Sequence, residues 1–114
     1  MSINSITEWV DICEISVIPP FSGVAALVYG EQIAIFRLGS ESEVYAVSNY
    51  DPFSHAYVMS RGIVGDRNGV IKVASPIYKQ SFSLVTGDCL DDSSVRLLTL
   101  PARVVNNVVQ VGLP

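Results

Sequence analysis

Gln32-Ile33-Ala34-Ile35-Phe36-Arg37-Leu38 reads as a strand, because Ile33, Ile35 and Arg37 alternate with Ala34, Phe36 and Leu38 and both sets are largely apolar. A strand of that kind is covered on much of both faces. Residues 24–29 precede it across a turn at Gly30-Glu31, and Val44-Tyr45-Ala46-Val47 follows the polar loop of residues 39–42, which makes an antiparallel meander. Upstream, Trp9-Val10-Asp11-Ile12-Cys13 is set apart from the meander by the Pro19-Pro20 break. Downstream, short Val- and Ile-rich runs recur at residues 70–74, 82–84, 95–100, 102–105 and 108–111, separated by turn-forming residues. Asn106-Asn107 joins the last two, since asparagine tolerates the positive φ angles of a tight hairpin. Helical periodicity is nearly absent. The expectation is an all-β antiparallel sandwich or small barrel, a single domain spanning residues 1–114.

Two stretches break the alternation. Residues 48–69 end in the turn cluster Gly65-Asp66-Arg67-Asn68-Gly69, and a shorter loop runs from Ser75-Pro76 to Gln80. They are read as a small loop subdomain, and loops on a rigid scaffold are where function concentrates.

Composition narrows the function classes. Charged residues make up 16% of the chain, against a usual share of about 25%, so the chain is suited to hiding surface against a partner. A net charge of −4, with its seven Lys and Arg scattered, gives nucleic acid nothing to grip. No apolar run approaches the roughly 20 residues that cross a bilayer. The start Met1-Ser2-Ile3-Asn4 does not resemble a secretory signal. A cytoplasmic, reducing setting is therefore expected, with Cys13 and Cys89 as free thiols. A lone histidine, His55, and no Cys-x-x-Cys pair leave no structural zinc set.

The order of strand, long loop, turn, strand, short Pro-containing loop and Phe-x-Leu-x-x-Thr-Gly resembles the cluster-binding half of Rieske ferredoxin domains. In that family the first loop carries Cys-x-His and the second Cys-x-x-His. The matching positions here read Asp51-Pro52-Phe53 and Ser75-Pro76-Ile77-Tyr78, so all four ligand types are replaced. Phe offers no lone pair, and neutral Ser and Tyr are poor substitutes for thiolate and imidazole.

A ligand-free Rieske-type chain of this size resembles the small subunits of assimilatory NAD(P)H nitrite reductases. The marks are Trp9 with Asp11-Ile12-Cys13, Gly30-Glu31-Gln32-Ile33-Ala34-Ile35-Phe36-Arg37, Asn49-Tyr50-Asp51-Pro52-Phe53, Ser60-Arg61-Gly62-Ile63-Val64 and Val73-Ala74-Ser75-Pro76-Ile77-Tyr78-Lys79-Gln80-Ser81-Phe82. The resemblance implies a Rieske-type fold and no cofactor in this chain. It also implies FAD, sirohaem and an iron–sulfur cluster in a large-subunit partner that reduces nitrite to ammonium, and no catalytic residue here. The rivals are a cluster-less module docking another oxidoreductase component, and a true cluster-bearing ferredoxin.

At the former ligand positions, Asp51 is either a proton donor or metal ligand, or, as its place before a proline favours, a turn cap accepting backbone N–H groups. Phe53 and Tyr78 are expected to fill the space of two imidazoles and a cluster, and Ser75 to be satisfied by backbone. Arg61 and Lys79 are either a positive rim that meets carboxylates of a partner or simply solvated charges, and the partner-contact candidates are Phe53, Arg61, Tyr78 and Lys79. His55 lacks a visible second catalytic group and reads as a surface loop histidine. Cys89, beside Asp88, Asp91 and Asp92, is not expected to be a nucleophile. Cys13 reads as a small strand hydrophobe and Trp9 as the anchor of the first strand.

Overall fold

A computed structural model describes residue 6, residues 8–39 and residues 43–113. The Met1-Ser2-Ile3-Asn4 start and positions 40–42 of the polar loop lie outside the described residues. The strands among them are β1 (Glu8–Glu14), β2 (Ser22–Val28), β3 (Glu31–Leu38), β4 (Glu43–Ser48), β5 (Tyr50–Asp51), β6 (Ala56–Tyr57), β7 (Ile63–Arg67), β8 (Val70–Ala74), β9 (Ser81–Ser83), β10 (Thr99–Leu100), β11 (Ala102–Val105) and β12 (Val108–Leu113). Short 3-10 turns occupy Ile15–Val17 and Met59–Arg61, and no described helix is long and apolar enough to cross a membrane. The all-β antiparallel expectation holds.

The order β10-β4-β3-β2 makes a four-stranded middle sheet. Its two faces feed two separate cores. Ile33, Ile35, Val44 and Ala46 point to Val109 and Val111 of the β1-β12-β11 sheet, while Ala34, Phe36 and Val47 point to Met59, Val73, Phe82, Leu84, Cys89 and Leu97. The period-2 geometry of β3 therefore places successive residues in different cores. Ile33, Ala34, Ile35 and Phe36 are all buried, as a strand covered on both sides requires.

The third layer is more regular than a loop subdomain. β7, β8 and β9 form their own antiparallel sheet, with Ile63 opposite Ala74 and Arg67 opposite Val70. Gly65-Asp66-Arg67 is thus strand, and Asn68-Gly69 alone makes the turn, with φ of 54° and 86°. An edge strand needs only backbone pairing, so polar side chains there leave no alternation to read. Likewise Tyr29-Gly30, with φ of 47° and 86°, forms the β2–β3 turn, and Glu31 already pairs with Val28. Of residues 95–100, only Thr99–Leu100 is strand, although Arg96 bridges to Asp88. Asn106-Asn107 forms the expected hairpin, with φ of 52° and 67° between paired Val105 and Val108.

Trp9 is half-buried with the Arg103 guanidinium 3.9 Å from its ring centre, which fastens β1 to β11 across β12. Cys89 is buried in one core and Cys13 lies at the margin of the other; both are free thiols. Burial pushes the Cys13 thiol up, which suits an inert strand residue.

Candidate functional site: the two loops of the third layer

The first loop begins where β4 ends, at Asn49, whose side chain is buried. Its N–H donates to the Gln32 carbonyl (3.0 Å) and its own carbonyl accepts from Met59 N–H (3.1 Å). Its Oδ1 accepts from Ser60 N–H (2.7 Å) and its Nδ2 donates to Gln32 Oε1 (3.1 Å). One residue thereby ties both ends of the loop to β3. The exit is fixed by close approach, since a Cβ on Gly62 would lie 2.5 Å from the Ala74 carbonyl oxygen.

Between those ends, β5 and β6 set Tyr50 opposite Tyr57, their rings edge to face at 5.2 Å. Tyr50 Oη lies 2.7 Å from His55 Nδ1. His55 turns the corner at φ 59° and donates its N–H to the Asp51 carbonyl (2.8 Å), closing the loop at its base. It is exposed and meets a tyrosine, as a surface loop histidine does.

Asp51 is fully buried. Its Oδ1 accepts from Phe53 N–H (2.9 Å), and its Oδ2 accepts from Ser54 Oγ (2.8 Å) and Ser75 Oγ (2.6 Å). Burial is the largest single influence and pushes the carboxyl up, but the hydrogen bonds from Ser75, Phe53 and Ser54 together outweigh it and hold the group below the usual carboxylate range. The turn cap is present, and a link to Ser75 that sequence reasoning missed is present beside it. Asp51 and Ser75 are both small and polar, but nothing in their spacing announces contact across 24 positions.

Ser75 closes the second loop by donating its N–H to the Gln80 carbonyl (2.9 Å), and its Oγ accepts from Ile77 N–H (3.3 Å). That closure throws residues 76–79 outward. Tyr78 is 61% exposed, so it does not fill the interior as expected. Asp51 and Ser75 are the buried members of the set, and half-buried Phe53 packs its ring 6.0 Å from that of Phe82. Lys79 is exposed at φ 65°. Because Ile63 pairs with Ala74, the chain leaving exposed Arg61 runs beside the entry to this loop.

Charge is unevenly distributed. Residues 52–87 hold four of the seven Lys and Arg, Arg61, Arg67, Lys72 and Lys79, and one carboxylate, Asp66. Arg67 pairs with Asp91 at 3.0 Å. Apart from buried Asp51, the other acids among the described residues are Glu8, Asp11 and Glu14 on β1, Glu31 on β3, Glu43 on β4, and Asp88, Asp91 and Asp92 in the 88–92 turn. Among the described residues no group of three or more His, Cys, Asp or Glu side chains converges as a metal set.

Comparison with known proteins gives a consistent picture. The family described as Rieske-like [2Fe-2S] domain matches residues 8–112. The nitrite reductase (NADH) small subunit of Salmonella typhimurium is 45% identical over 105 residues, covering 92% of this chain and 97% of that protein. The solution structure of a nitrite reductase NAD(P)H small subunit from Erwinia carotovora superposes with a TM-score of 0.82 at 41% identity, over 96% of this chain and 84% of that one. A nitrite reductase NAD(P)H large subunit from Klebsiella oxytoca contains a segment 40% identical over 104 residues, 91% of this chain but 11% of that protein.

Proposed function

This chain belongs to the Rieske-like [2Fe-2S] domain family, among its nitrite reductase small subunits, and on that premise we propose that it serves a large subunit reducing nitrite to ammonium with NAD(P)H. The observation that carries the reading is the similarity to a nitrite reductase small subunit along nearly the full length of both chains. A second line supports the partner: the same domain stands inside a large-subunit polypeptide in Klebsiella oxytoca, which argues against docking to an unrelated oxidoreductase. The FAD, sirohaem and iron–sulfur centres are assigned to the large subunit, and the complex to the cytoplasm in nitrate assimilation.

The cluster in the family's name does not fit the residues of this chain. The Asp51 carboxylate is engaged by three donors, the Phe53 ring packs against Phe82, the Ser75 hydroxyl is bonded to Asp51, and Tyr78 faces solvent. No step of the reaction is routed through such a group here. The chain acts instead as a docking subunit through its loops, where Ile77, Tyr78, Lys79 and Arg61 are exposed, and half-buried Phe53, packed on Phe82, completes the contact set. Aromatic and arginine side chains dominate binding at such surfaces. The scarcity of acids over residues 52–87 favours an acidic rim on the partner.

A tagged copy recovered from its own cells should bring a large flavin and sirohaem protein with it. The recombined pair should oxidise NAD(P)H in the presence of nitrite while this chain alone does not. The preparation of this chain should be colourless and free of stoichiometric iron. A large subunit that reduces nitrite equally well without this chain would overturn the reading.

A further inference from the structure

Asp51 and Ser75 sit where the family's two cysteine ligands would be, one at the base of each loop. Each loop is closed on itself there by a backbone bond, His55 N–H to the Asp51 carbonyl (2.8 Å) and Ser75 N–H to the Gln80 carbonyl (2.9 Å). In a cluster-bearing relative, the one iron held by both cysteines would join those bases. Here the join is the 2.6 Å hydrogen bond from Ser75 Oγ to Asp51 Oδ2, between residues that are 1% and 0% exposed. Ile77 N–H occupies a lone pair of Ser75 Oγ (3.3 Å), so the hydroxyl proton is left for the carboxylate. On the far side, Phe53 N–H and Ser54 Oγ occupy the rest of the carboxylate. A continuous run of donors thus leads from the exposed Ile77-Tyr78 tip into the first loop.

We infer that the Asp51–Ser75 hydrogen bond is the positioning device that replaces the cluster, holding the two loops in the relative placement that the large subunit recognises. This rests on the docking reading above. The pair is a positioning pair and touches no reacting atom. Burial makes it effective, because a charge-assisted bond shielded from water is stronger than a neutral, solvated one. It also makes the geometry demanding. A carboxylate and a hydroxyl enforce one short contact in one direction, whereas apolar filling of the same space would leave the loops free to slide.

The test is the complex of full-length chains, compared between wild type, Ser75→Ala and Ser75→Thr. Ser75→Ala should weaken binding to the large subunit about tenfold or more, while nitrite-dependent turnover at saturating small subunit stays at the wild-type value. Ser75→Thr, which keeps the hydroxyl, should restore affinity. Amide exchange should quicken at Phe53, Ser54 and Ile77 in Ser75→Ala and stay unchanged in β1 and β12. If Ser75→Ala also loses protection in β1 and β12, the same comparison is read from Ser75→Cys, which fills the site with a weak donor and should fall between wild type and no binding. Wild-type affinity in Ser75→Ala, or in Ser75→Cys where that variant is the one read, overturns the inference. So does a loss that Ser75→Thr fails to recover. Failure of the wild-type chain to bind at all would instead overturn the docking reading, which separates the two.

Discussion

The two loops of the third layer differ in what they are built to do. The first is bound into the molecule: Asn49 ties both its ends to β3, Asp51 caps it from a buried position, and Phe53 packs on Phe82. The second is anchored only at its base, and Pro76, Ile77, Tyr78 and Lys79 all face solvent. One loop is thus packed into the molecule and the other is presented at its surface. Truncating the buried side chains of the first should therefore cost stability, and truncating the exposed tip of the second should cost affinity.

The largest effect is expected from Asp51→Ala, which strands three buried or half-buried donors and should lower unfolding free energy by about 3 kcal/mol. Urea denaturation of the isolated chain measures it, and a loss no larger than that of Tyr78→Ala would erase the contrast. Phe53→Ala follows at about 2 kcal/mol, less than full burial of a Phe would give because the ring is half-buried. The same titration checks it.

Acid sharpens the comparison further. The Asp51 carboxyl is held below its ordinary value, so its stabilisation is complete above the usual range near pH ~4 and is lost as pH falls through that range toward the folded value. Asp91, held down by the Ser81 N–H and Arg67, and Asp92, held down by Ser94, act in the same direction. Asp51→Asn should flatten the acid limb of a stability-against-pH curve without abolishing it. In the second loop, Lys79→Gly should raise stability by about 0.5 kcal/mol, by relieving a side chain at positive φ. Tyr78→Ala should change stability by less than about 0.5 kcal/mol while weakening large-subunit binding, which calorimetry of the pair would read. A Tyr78→Ala chain that binds normally would leave the second loop without its assigned role.

Much of this was legible in the sequence, for reasons that differ from residue to residue. β3 could be read because both of its faces are buried and every side chain carries the signal. The Asn106-Asn107 hairpin could be read because two adjacent positive φ angles leave few residue types to choose from. The resemblance of the loops pointed to positions 51, 53, 75 and 78. It could not say which of the four face inward, since that depends on how the Ser75–Gln80 closure turns the chain. β7 escaped because an edge strand is specified by backbone pairing that polar side chains do not report. Asn49 entered the sequence reading only as the first residue of the Asn49-Tyr50-Asp51-Pro52-Phe53 mark, because its side-chain bonds reach residues 17 positions back and 11 ahead.

β3 also bears on how the molecule comes apart. With Ile33 and Ile35 in one core and Ala34 and Phe36 in the other, neither core has a wall of its own. Melting the loop-bearing layer uncovers Phe36, and withdrawing the β1-β12-β11 sheet uncovers Ile35. A slip of one residue in β3 would exchange the contents of both at once. Heat and denaturant should accordingly find one transition, reported at the same midpoint by Trp9 fluorescence in the outer sheet and by amide exchange at Val73 in the third layer.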